Sequence, residues 1–501
     1  MVARRNNAGT PTSIFDLNDV PTHPSTQAAL QWNPSTLELE WVYAPQLLTD
    51  LIDVPDPTPS YYLQRNTNNT GYQWGAGISG GAFGDIFTDP IADYSCAGVA
   101  TETTLIANAY AGNSYIYVSD PSSYSSGHGI VIPGGGAGGT DLVTSVTSKG
   151  SNYLNLAAPL QTNVIIAGNP VTVYHDDNAG IQAAIDDNQR YLWLRRGAKF
   201  VSHKRINMTH SGGGIFGPMC FNYQGNTGFS AGNYGWPDYN TYLGGADSHT
   251  AVILQRYTND HGLLVSSSYC SFNGFTVGMY PGYTHDIDND LSNMKIGSYD
   301  INELYDYSTA PSATGVVAHT RLMNMTLADG WDGLHISKHW NLKTQGINFV
   351  YSFRRNGILV NTEIPFGGAE VYNWNLIGNA ISSGSKTVSA DVEYAIKVIN
   401  ADFMRYGNIQ TGRTAGGVQI DSTCGGAQIF NNCYSDDIDH SYAIHCLGSR
   451  CLFMSNGYNA SNAGGYYLGG TKNKIIGMFG GPPDASYPDV LGSNEVIGYI
   501  T

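Results

Sequence analysis

Charge is scarce in this sequence, and basic charge is the scarcer of the two signs. Charged residues make up 13% of the 501 residues, where a typical soluble protein has about 25%. The 24 Lys and Arg residues against 40 Asp and Glu residues give a formal net charge of −16. Because binding to nucleic acid needs basic patches that neutralise phosphates, this balance argues against a nucleic-acid partner.

Long apolar runs and targeting signals are also missing. No uninterrupted apolar run approaches the length of about 18 residues that suggests a membrane span. The first residues contain Arg4 and Arg5 but no apolar segment behind them, so the sequence predicts no secretory signal and no membrane insertion. We therefore expect a chain that is made in a cytoplasm.

Cysteine is infrequent, and its spacing suggests no framework. The seven cysteines are an odd set without CxxC pairs, which argues against disulfides or a zinc site. Buried free thiols are expected instead, because reduced cysteine packs as a small hydrophobic residue. The glycine-rich segment 133–139 lacks the Gly-Lys-Ser/Thr of a phosphate loop, and segment 285–290 lacks the Gly and Glu of a calcium loop. The sequence thus predicts no cofactor and no metal ion.

Glycine and tyrosine, by contrast, are abundant, with 61 and 34 residues. The polarity comes from Asn, Ser, Thr and Tyr, a mixture that suits an all-β chain with many turns. From about residue 190 onward apolar-in, polar-out segments recur, among them Gly333–Ile336, Gly357–Val360, Ala395–Val398, Gly417–Ile420 and Ala443–Cys446. A second apolar series contains Ile347, Val371, Ile429, Leu452, Ile476 and Val496, with neighbours mostly in the low twenties apart.

A period in the twenties with β alternation indicates stacked coils. Leucine-rich repeats share that length, but their fixed Leu ladder and Asn/Cys position are missing here. The sequence therefore predicts an all-β fold, a right-handed single-stranded parallel β-helix. Asparagines at 373, 375, 400, 431, 432 and 456 follow the repeated segments, which suits turns and internal Asn stacks between coils.

The chain divides into four predicted regions. Residues 1–60 contain two strand candidates around an Asn-Pro-Ser-Thr turn and are too small to be stable alone, so we expect a docking segment and linker. Residues 61–94 begin the β-helix region. Residues 95–172, where short strands alternate with Gly and Ser turns, are expected to form an inserted small β-domain. Residues 173–501 are expected to form the β-helix.

A short amphipathic helix is predicted near 178–187, at the start of the coils. Ile181, Ala184 and Ile185 fall on one face of it, and residues 176–178 are the expected N-terminal caps. Such a helix would cover the open end of the solenoid, which otherwise exposes unpaired strand edges.

Two parts of the sequence resemble known families. The residues Leu17, Asp19, Val20, Ala29, Leu30, Trp32, Trp41 and Val42 follow the pattern of a front segment found in many phage tail fibres and tailspikes. The segments 81–85, 176–186 and 191–200 are similar to the opening of pectate-lyase-like β-helix proteins, split here by the insertion. Arg195 and Arg196 stand where that family favours two prolines.

The resemblance implies a bacteriophage tailspike, a virion component made in the host cytoplasm. It implies attachment to the phage tail or baseplate through the N-terminal segment, a homotrimer, and depolymerisation of a bacterial surface polysaccharide such as capsule, exopolysaccharide or O-antigen. Two alternatives stay open: a polysaccharide lyase, and a non-catalytic glycan-binding adhesin or structural tail protein.

Strand alternation assigns the outward residues of the coils. They form one expected strip for sugar binding and catalysis: His335, His339, Asn361, Glu363, Lys397, Gln419, Asp421 and His445, with Asp329, Trp331 and Asp332 at the turn that leads into it. Carboxylates can bind sugar hydroxyls, and a Trp ring can stack on a sugar face. An acidic and aromatic strip of this kind suits a long polyhydroxylated chain.

Glycosidic hydrolysis needs two carboxyl groups, one protonated and one ionised. Glu363 and Asp421 are the first candidate pair, because two coil steps separate their backbones by about 10 Å. Asp332 or Asp329 with Glu363 is the second. Elimination on a uronic acid would instead need a base and a group that neutralises the carboxylate, roles open to His335, His339, Lys397 and Arg354. Hydrolysis is the favoured prediction.

Overall fold

The chain is described from a computed structural model and divides into two compact units, Met1–Gly84 and Asp85–Thr501. The structure describes residues 28–33, 38–43, 61–65, 72–76, 87–187, 191–218, 251–280, 283, 285, 291–297, 317–361, 369–378, 392–426, 428–438, 442–460, 464–479 and 493–500. Strands and helices are numbered in chain order within these residues.

The first unit contains two antiparallel hairpins. Their strands are β1 (Ala28–Asn33), β2 (Glu38–Tyr43), β3 (Tyr61–Arg65) and β4 (Tyr72–Ala76). In the first hairpin Leu30 pairs with Trp41 and Trp32 pairs with Leu39. This hairpin corresponds to the two strand candidates of the sequence.

The insertion forms a six-stranded antiparallel sheet with a hydrophobic core of its own. Its strands are β6 (Glu102–Thr104), β7 (Tyr115–Tyr117), β8 (Gly129–Ile132), β9 (Leu142–Lys149), β10 (Tyr153–Leu156) and β11 (Thr172–His175), in the order β6-β11-β8-β9-β10-β7. A short 3-10 turn, Ala137–Gly139, lies in the connection between β8 and β9. The glycine-rich segment 133–139 is thus part of a hairpin tip.

Most of the remaining described strands form two walls of parallel strands. The first wall contains nine strands: β14 (Ile206–Met208), β17 (Leu263–Val265), β20 (Ser292–Ile296), β24 (Asp332–Ile336), β28 (Asn356–Asn361), β30 (Tyr394–Ile399), β32 (Gly416–Ile420), β34 (Tyr442–Cys446) and β37 (Gly464–Leu468). Each pairs in parallel with the next.

The second wall is also parallel. Its strands are β5 (Phe87–Thr88), β12 (Tyr191–Trp193), β13 (Lys199–Ser202), β15 (Gly214–Phe216), β16 (Ala251–Gln255), β18 (Ser271–Asn273), β19 (Phe275–Met279), β22 (Arg321–Met323), β23 (Thr326–Ala328), β26 (Lys343–Gln345), β27 (Asn348–Phe353), β29 (Glu370–Gly378), β31 (Arg405–Gly412), β33 (Ile429–Ile438), β35 (Leu452–Met454), β36 (Gly457–Ala460), β38 (Lys474–Phe479) and β39 (Glu495–Ile500). A separate parallel pair joins β21 (Val317–Ala318) and β25 (His339–Trp340).

From β28 to β34 the chain alternates between the walls at every strand, and each strand pairs with its counterpart one coil on. This connectivity is that of a parallel β-helix. The all-β prediction and the parallel β-helix prediction are confirmed. Inward residues of both walls form one continuous core, in which the rings of Tyr406, Phe430 and Phe453 stack at centroid distances of 4.2 and 5.2 Å.

An asparagine ladder marks the bend within the long strands of the second wall. Asn373, Asn408 and Asn432 have φ angles of 60°, 52° and 53°, in the left-handed region that asparagine tolerates better than most residues. Nδ2 of Asn408 donates to Oδ1 of Asn373 at 3.1 Å, and Nδ2 of Asn432 donates to Oδ1 of Asn408 at 2.8 Å. The predicted Asn stack thus includes Asn373 and Asn432, with Asn408 between them, but the ladder lies at the surface and not inside the coils as predicted.

Two members of the second apolar series, Ile347 and Ile476, are 48% and 37% exposed. Each neighbours a glycine with positive φ: Gly346 lies between β26 and β27, and Gly477 lies within β38. A left-handed residue interrupts strand alternation, which is why spacing alone gives no reliable direction at these positions.

Two helices lie at the start of the coils: α1 (Pro90–Asp93) and α2 (Asn178–Asp186). In α2 the expected face, Ile181, Ala184 and Ile185, is fully buried in the β-helix core. No other described helix is present in this region, and no described helix is long and apolar enough to cross a membrane.

Asp177 stands at the predicted N-cap position of α2, but its carboxylate makes no capping hydrogen bond to the helix. It accepts instead from the backbone N–H groups of Ala97 at 2.5 Å and Val201 at 3.1 Å, which links the start of the insertion to β13. Burial raises the pKa of this carboxyl group to about 7.

Six of the seven cysteines fall within the described residues, and all six are free and buried. The prediction of buried free thiols is therefore confirmed for Cys96, Cys270, Cys424, Cys433, Cys446 and Cys451.

Candidate functional site

Small residues at one corner of the first wall determine which side chains reach its outer face. Ala395 and Ile396 are consecutive, yet both are fully buried in the core. At the equivalent corner of the neighbouring coils, a Cβ on Gly357 would lie 2.7 Å from the Ala395 carbonyl oxygen, and a Cβ on Gly417 would lie 2.4 Å from that of Ala443. Alternation is therefore broken at the corner, and the residue before it, Tyr394, lies on the outer side.

The first wall aligns a column of outward residues. His335 pairs with Leu359, Leu359 with Lys397, Lys397 with Gln419, and Gln419 with His445. Successive members are about 4.8 Å apart, as in any β ladder. His335 is buried, whereas the Lys397, Gln419 and His445 side chains are half-buried. The structure thus brings together four of the predicted sugar-binding residues: His335, Lys397, Gln419 and His445.

Three tyrosines surround the last histidine of this column. Tyr394, Tyr442, His445 and Tyr467 are here called the tyrosine–histidine cluster. Ring centroids of Tyr442 and Tyr467 lie 5.4 and 5.3 Å from that of His445, and the Tyr394 hydroxyl lies 3.2 Å from Nδ1 of His445. Burial lowers the pKa of His445, so the ring is neutral at pH 7.

Gly416 makes this contact possible. Tyr394 is on β30 and His445 is on β34, so the Tyr394 ring has to cross β32. Tyr394 pairs with Gly416, and a Cβ at Gly416 would lie 2.3 Å from Cε1 of the Tyr394 ring. Only the absence of a side chain there leaves room for the ring to lie across the strand.

Charged groups border the cluster. Lys397 Nζ lies 2.5 Å from Oε2 of Glu393. On the next coil, Oδ1 of Asp421 accepts from the Thr423 backbone N–H at 3.0 Å and from the Thr423 hydroxyl at 2.9 Å. These hydrogen bonds, together with the charge of Lys397, lower the pKa of Asp421 and keep it ionised.

Asp332 is buried, whereas a catalytic carboxylate has to reach the outer face. Its side chain is fully buried and forms a two-pronged ion pair with Arg355, while Oδ1 also accepts from the Asn356 backbone N–H at 3.0 Å. These contacts tie one coil to the next, so the residue is placed to hold structure. Asp329 is half-buried, with φ of 56°, and its backbone N–H donates to the Tyr351 carbonyl oxygen at 3.0 Å.

The remaining candidates are dispersed. Trp331 is buried, with its backbone N–H donating to Nδ1 of His285 at 3.1 Å. His339 lies in β25, outside the first wall, and burial lowers its pKa to about 3. Arg354 is half-buried in the turn after β27, and Asn361 ends β28. Glu363 lies outside the described residues, as do Asp286 to Asp290.

Glu393 and the three tyrosines of the cluster are functional candidates that are absent from the strip predicted from the sequence. Strict alternation turns Tyr394 and Tyr442 toward the core, because they stand two residues before the inward Ile396 and Ile444. The detectable signal is the small residue that separates each tyrosine from the inward isoleucine, Ala395 or Ala443. It stands at the position where other coils carry glycine. No group of three or more metal-ligating side chains occurs among the residues that the structure describes.

No family model matches the sequence, and no curated protein matches it. Among solved structures, the chain is similar to the enzymatically active domain of tailspike protein 2 from bacteriophage CBA120, with 10% identity, a TM-score of 0.36, and coverage of 73% of this chain and 52% of that one. It is similar to the Gp54 tailspike of Acinetobacter baumannii bacteriophage AP22, solved with a capsular saccharide, with 11% identity, a TM-score of 0.26, and coverage of 82% and 57%.

A third similar structure is the DFA-IIIase of Arthrobacter chlorophenolicus A6, with 13% identity, a TM-score of 0.38, and coverage of 65% of this chain and 80% of that one. Phage tailspikes recur among the similar structures. The chain spans little more than half the length of those tailspike chains.

Proposed function

We propose that this chain is a phage tailspike that binds a bacterial surface polysaccharide on the outer face of the first wall and depolymerises it. The observation that carries the proposal is the tyrosine–histidine cluster, whose aromatic rings and neutral imidazole belong to the same or adjacent coils as Lys397, Glu393 and Asp421. Aromatic rings supply apolar faces for sugar rings, and the hydroxyl, amide and carboxylate groups supply partners for sugar hydroxyls.

The column geometry supports binding of a polymer. Lys397, Gln419 and His445 occupy consecutive rungs of one ladder. A rigid β scaffold holds such groups at fixed spacing, which reduces the entropy lost when an extended ligand binds along them. The proposed orientation of the glycan therefore runs from rung to rung along the column.

The proposed cleavage is glycosidic hydrolysis by Glu363 and Asp421. The lowered pKa of Asp421 suits the ionised partner, which acts as base or nucleophile. Glu363 is proposed as the acid, the member that protonates the leaving oxygen. Glu393, held by Lys397, is proposed to position that lysine against the glycan.

A lyase reaction is the second candidate, and the contact between Tyr394 and His445 is the observation that favours it. Neutral His445 could take the proton next to a uronate carboxylate while the bond to the glycosidic oxygen breaks, and the leaving oxygen takes a proton from water. Lys397, two rungs away, could neutralise that carboxylate. A glycan-binding adhesin without catalysis is the third, since it requires the cluster alone.

Product analysis with matched variants tests the proposed chemistry. Purified wild-type protein, Glu363→Gln, Asp421→Asn and His445→Ala are incubated with a panel of bacterial capsules and lipopolysaccharides. Hydrolysis predicts new reducing ends without the ultraviolet absorbance of unsaturated uronates, and a loss of at least about 100-fold in Glu363→Gln and Asp421→Asn. Glu370→Gln, a partly exposed carboxylate on the second wall, is the control expected to keep full activity.

Each other outcome selects a different function. Absorbing products that depend on His445 would establish the lyase. Binding without any cleavage by the wild-type protein would establish the adhesin and refute the enzyme. If the wild-type protein binds none of the glycans in the panel, the proposal of a polysaccharide partner is refuted.

The proposed assembly is a homotrimer attached to the phage tail or baseplate through residues 1–60. The support is the resemblance of the N-terminal segment to tailspike fronts and the solenoid flanks, which closed symmetry would cover. Sedimentation equilibrium of the full chain predicts three times the 53.9 kDa monomer mass. A monomer at micromolar concentration would contradict the trimer.

A further inference from the structure

A second aromatic surface lies on the inserted sheet. Tyr115, Tyr117 and Tyr153 are 41%, 40% and 37% exposed. Tyr153 pairs with Tyr117 across neighbouring strands, and Asn155 pairs with Tyr115. The rings of Tyr115 and Tyr117 meet edge to face at a centroid distance of 5.6 Å, and those of Tyr117 and Tyr153 at 6.4 Å. We call these three rings the tyrosine face.

Strand alternation explains why the tyrosine face is exposed. Ile116 and Leu154, the neighbours in sequence, are fully buried in the core of the inserted sheet. The three tyrosines therefore project from the opposite side. The Tyr153 ring lies close over Gly150, where a Cβ would be only 2.1 Å from Cε1 of the ring.

Polar groups adjoin the tyrosine face. Nδ2 of Asn155 donates to the Ser148 hydroxyl at 2.7 Å, and both groups are near the surface. Amide and hydroxyl groups keep further capacity to donate to and accept from a ligand. Phenol hydroxyls with amide and hydroxyl neighbours suit a ligand that combines apolar faces with many hydroxyls.

A cleft adjoins β9 of the same sheet. Val143 and Ser145 line this cleft of about 480 Å³, together with Asp176 and with Ala179 and Ala183 of α2. A volume of this size lies within the range of about 300–1,000 Å³ of small-molecule sites.

The tyrosine face is too small for a subunit interface. A tyrosine can bury about 150–250 Å², so three rings that are roughly two-fifths exposed offer about 200–300 Å². A stable protein interface buries about 800 Å² on each partner. Three rings match the footprint of a few sugar units better than that of a second copy of this chain.

We propose that the inserted domain binds glycan through the tyrosine face, as a second binding surface separate from the tyrosine–histidine cluster. The sugar rings lie against Tyr115, Tyr117 and Tyr153, and Asn155 and Ser148 bind their hydroxyls. This surface has no catalytic pair and serves to hold the polymer.

Binding of the full-length protein to an array of defined bacterial capsular and O-antigen oligosaccharides tests this inference. Tyr115→Ala and Tyr153→Ala should each weaken binding of at least one array glycan by about tenfold, the scale of one aromatic contact. Tyr110→Ala, which removes a 51% exposed tyrosine elsewhere in the insertion, is the matched control and should bind as the wild type does. Gly150→Ala should reproduce the effect of Tyr153→Ala by displacing the ring.

The outcomes separate this inference from the proposed function. If Tyr442→Ala abolishes binding while Tyr115→Ala and Tyr153→Ala leave every glycan signal unchanged, the inference is overturned and the proposed function stands. If the tyrosine-face variants lose binding while Tyr442→Ala does not, the inference stands and the cluster assignment fails. A change of oligomeric state in Tyr115→Ala, measured by sedimentation, would show a subunit interface and overturn the inference.

Discussion

The hydroxyl of Tyr394 and Nδ1 of His445 lie 3.2 Å apart although a whole strand separates their two strands. The contact exists because Gly416 occupies the intervening rung. Because Gly416 has no side chain, the Tyr394 ring spans three coils and contacts a neutral imidazole on the outer face.

Gly416→Ala should disrupt the contact between Tyr394 and His445 and lower the affinity for glycan. The added Cβ would lie 2.3 Å from the Tyr394 ring, so the ring has to move away from His445. We expect glycan affinity to fall by about tenfold, the loss of one aromatic contact and one hydrogen bond. Gly425→Ala is the control, because a Cβ there meets nothing within 4 Å. Equal affinity of the two variants in calorimetric titration would contradict the role of Gly416.

Asp332 should matter for stability. Asp332→Asn removes the buried carboxylate that pairs with Arg355, and breaking such a pair costs about 3–5 kcal/mol in the free energy of unfolding. The exposed pair of Lys474 and Glu495 provides the control, since Glu495→Gln should cost about 1 kcal/mol or less. Denaturant unfolding of both variants measures the difference. A wild-type stability for Asp332→Asn, with activity lost, would return Asp332 to the list of catalytic candidates.

The asparagine ladder should show two separable contributions. Asn408→Gly removes the hydrogen bonds to Asn373 and Asn432 but fits the left-handed φ of 52°. Asn408→Ala removes the same bonds and strains the backbone, so it should be less stable than Asn408→Gly by about 1 kcal/mol. Thermal unfolding compares them. An alanine variant as stable as the glycine variant would show that φ at this bend relaxes freely.

The junction around Asp177 should respond to pH. Burial raises the pKa of Asp177 to about 7, whereas an unfolded aspartate has a pKa of about 4. Between these values the folded chain holds the proton more tightly than the unfolded chain, so the free energy of unfolding falls as the pH rises from about 4 to about 7.

Asp177→Asn should flatten that part of the pH profile, because the variant has no proton to lose. Asp120→Asn, a change at an exposed carboxylate of the insertion, is the control and should leave the slope close to that of the wild type. Unfolding midpoints at pH 4 to 8 give the three profiles. Identical slopes for wild type and Asp177→Asn would contradict a raised pKa.

The sequence was sufficient for the repeated part of the fold. Leu334, Ile396 and Val418 are each followed by a polar residue, and parallel coils repeat that pattern in register. The period alone therefore identifies the column from His335 to His445. Hydrophobic burial on one side of a strand is a local property, and local properties can be read from sequence.

Contacts between coils could not be predicted in the same way. Asp332 pairs with Arg355, which is on the following coil, and no local pattern distinguishes a buried ion pair from a solvent-facing acid. Tyr394 and Tyr442 were missed because a two-residue corner reverses the alternation. The side chain of Asp177 accepts hydrogen bonds from backbone groups of two distant segments. Whether its carboxylate caps the helix or binds these segments therefore depends on tertiary structure.

The affinity of the tyrosine–histidine cluster for glycan tests the account most directly. Wild-type protein and Tyr442→Ala are titrated with the bacterial polysaccharide that the wild type retains from the panel, with Tyr269→Ala, a 62% exposed tyrosine outside the cluster, as the control. The account predicts that Tyr442→Ala weakens binding by about tenfold or more while Tyr269→Ala does not. Equal dissociation constants for wild type and Tyr442→Ala would contradict it.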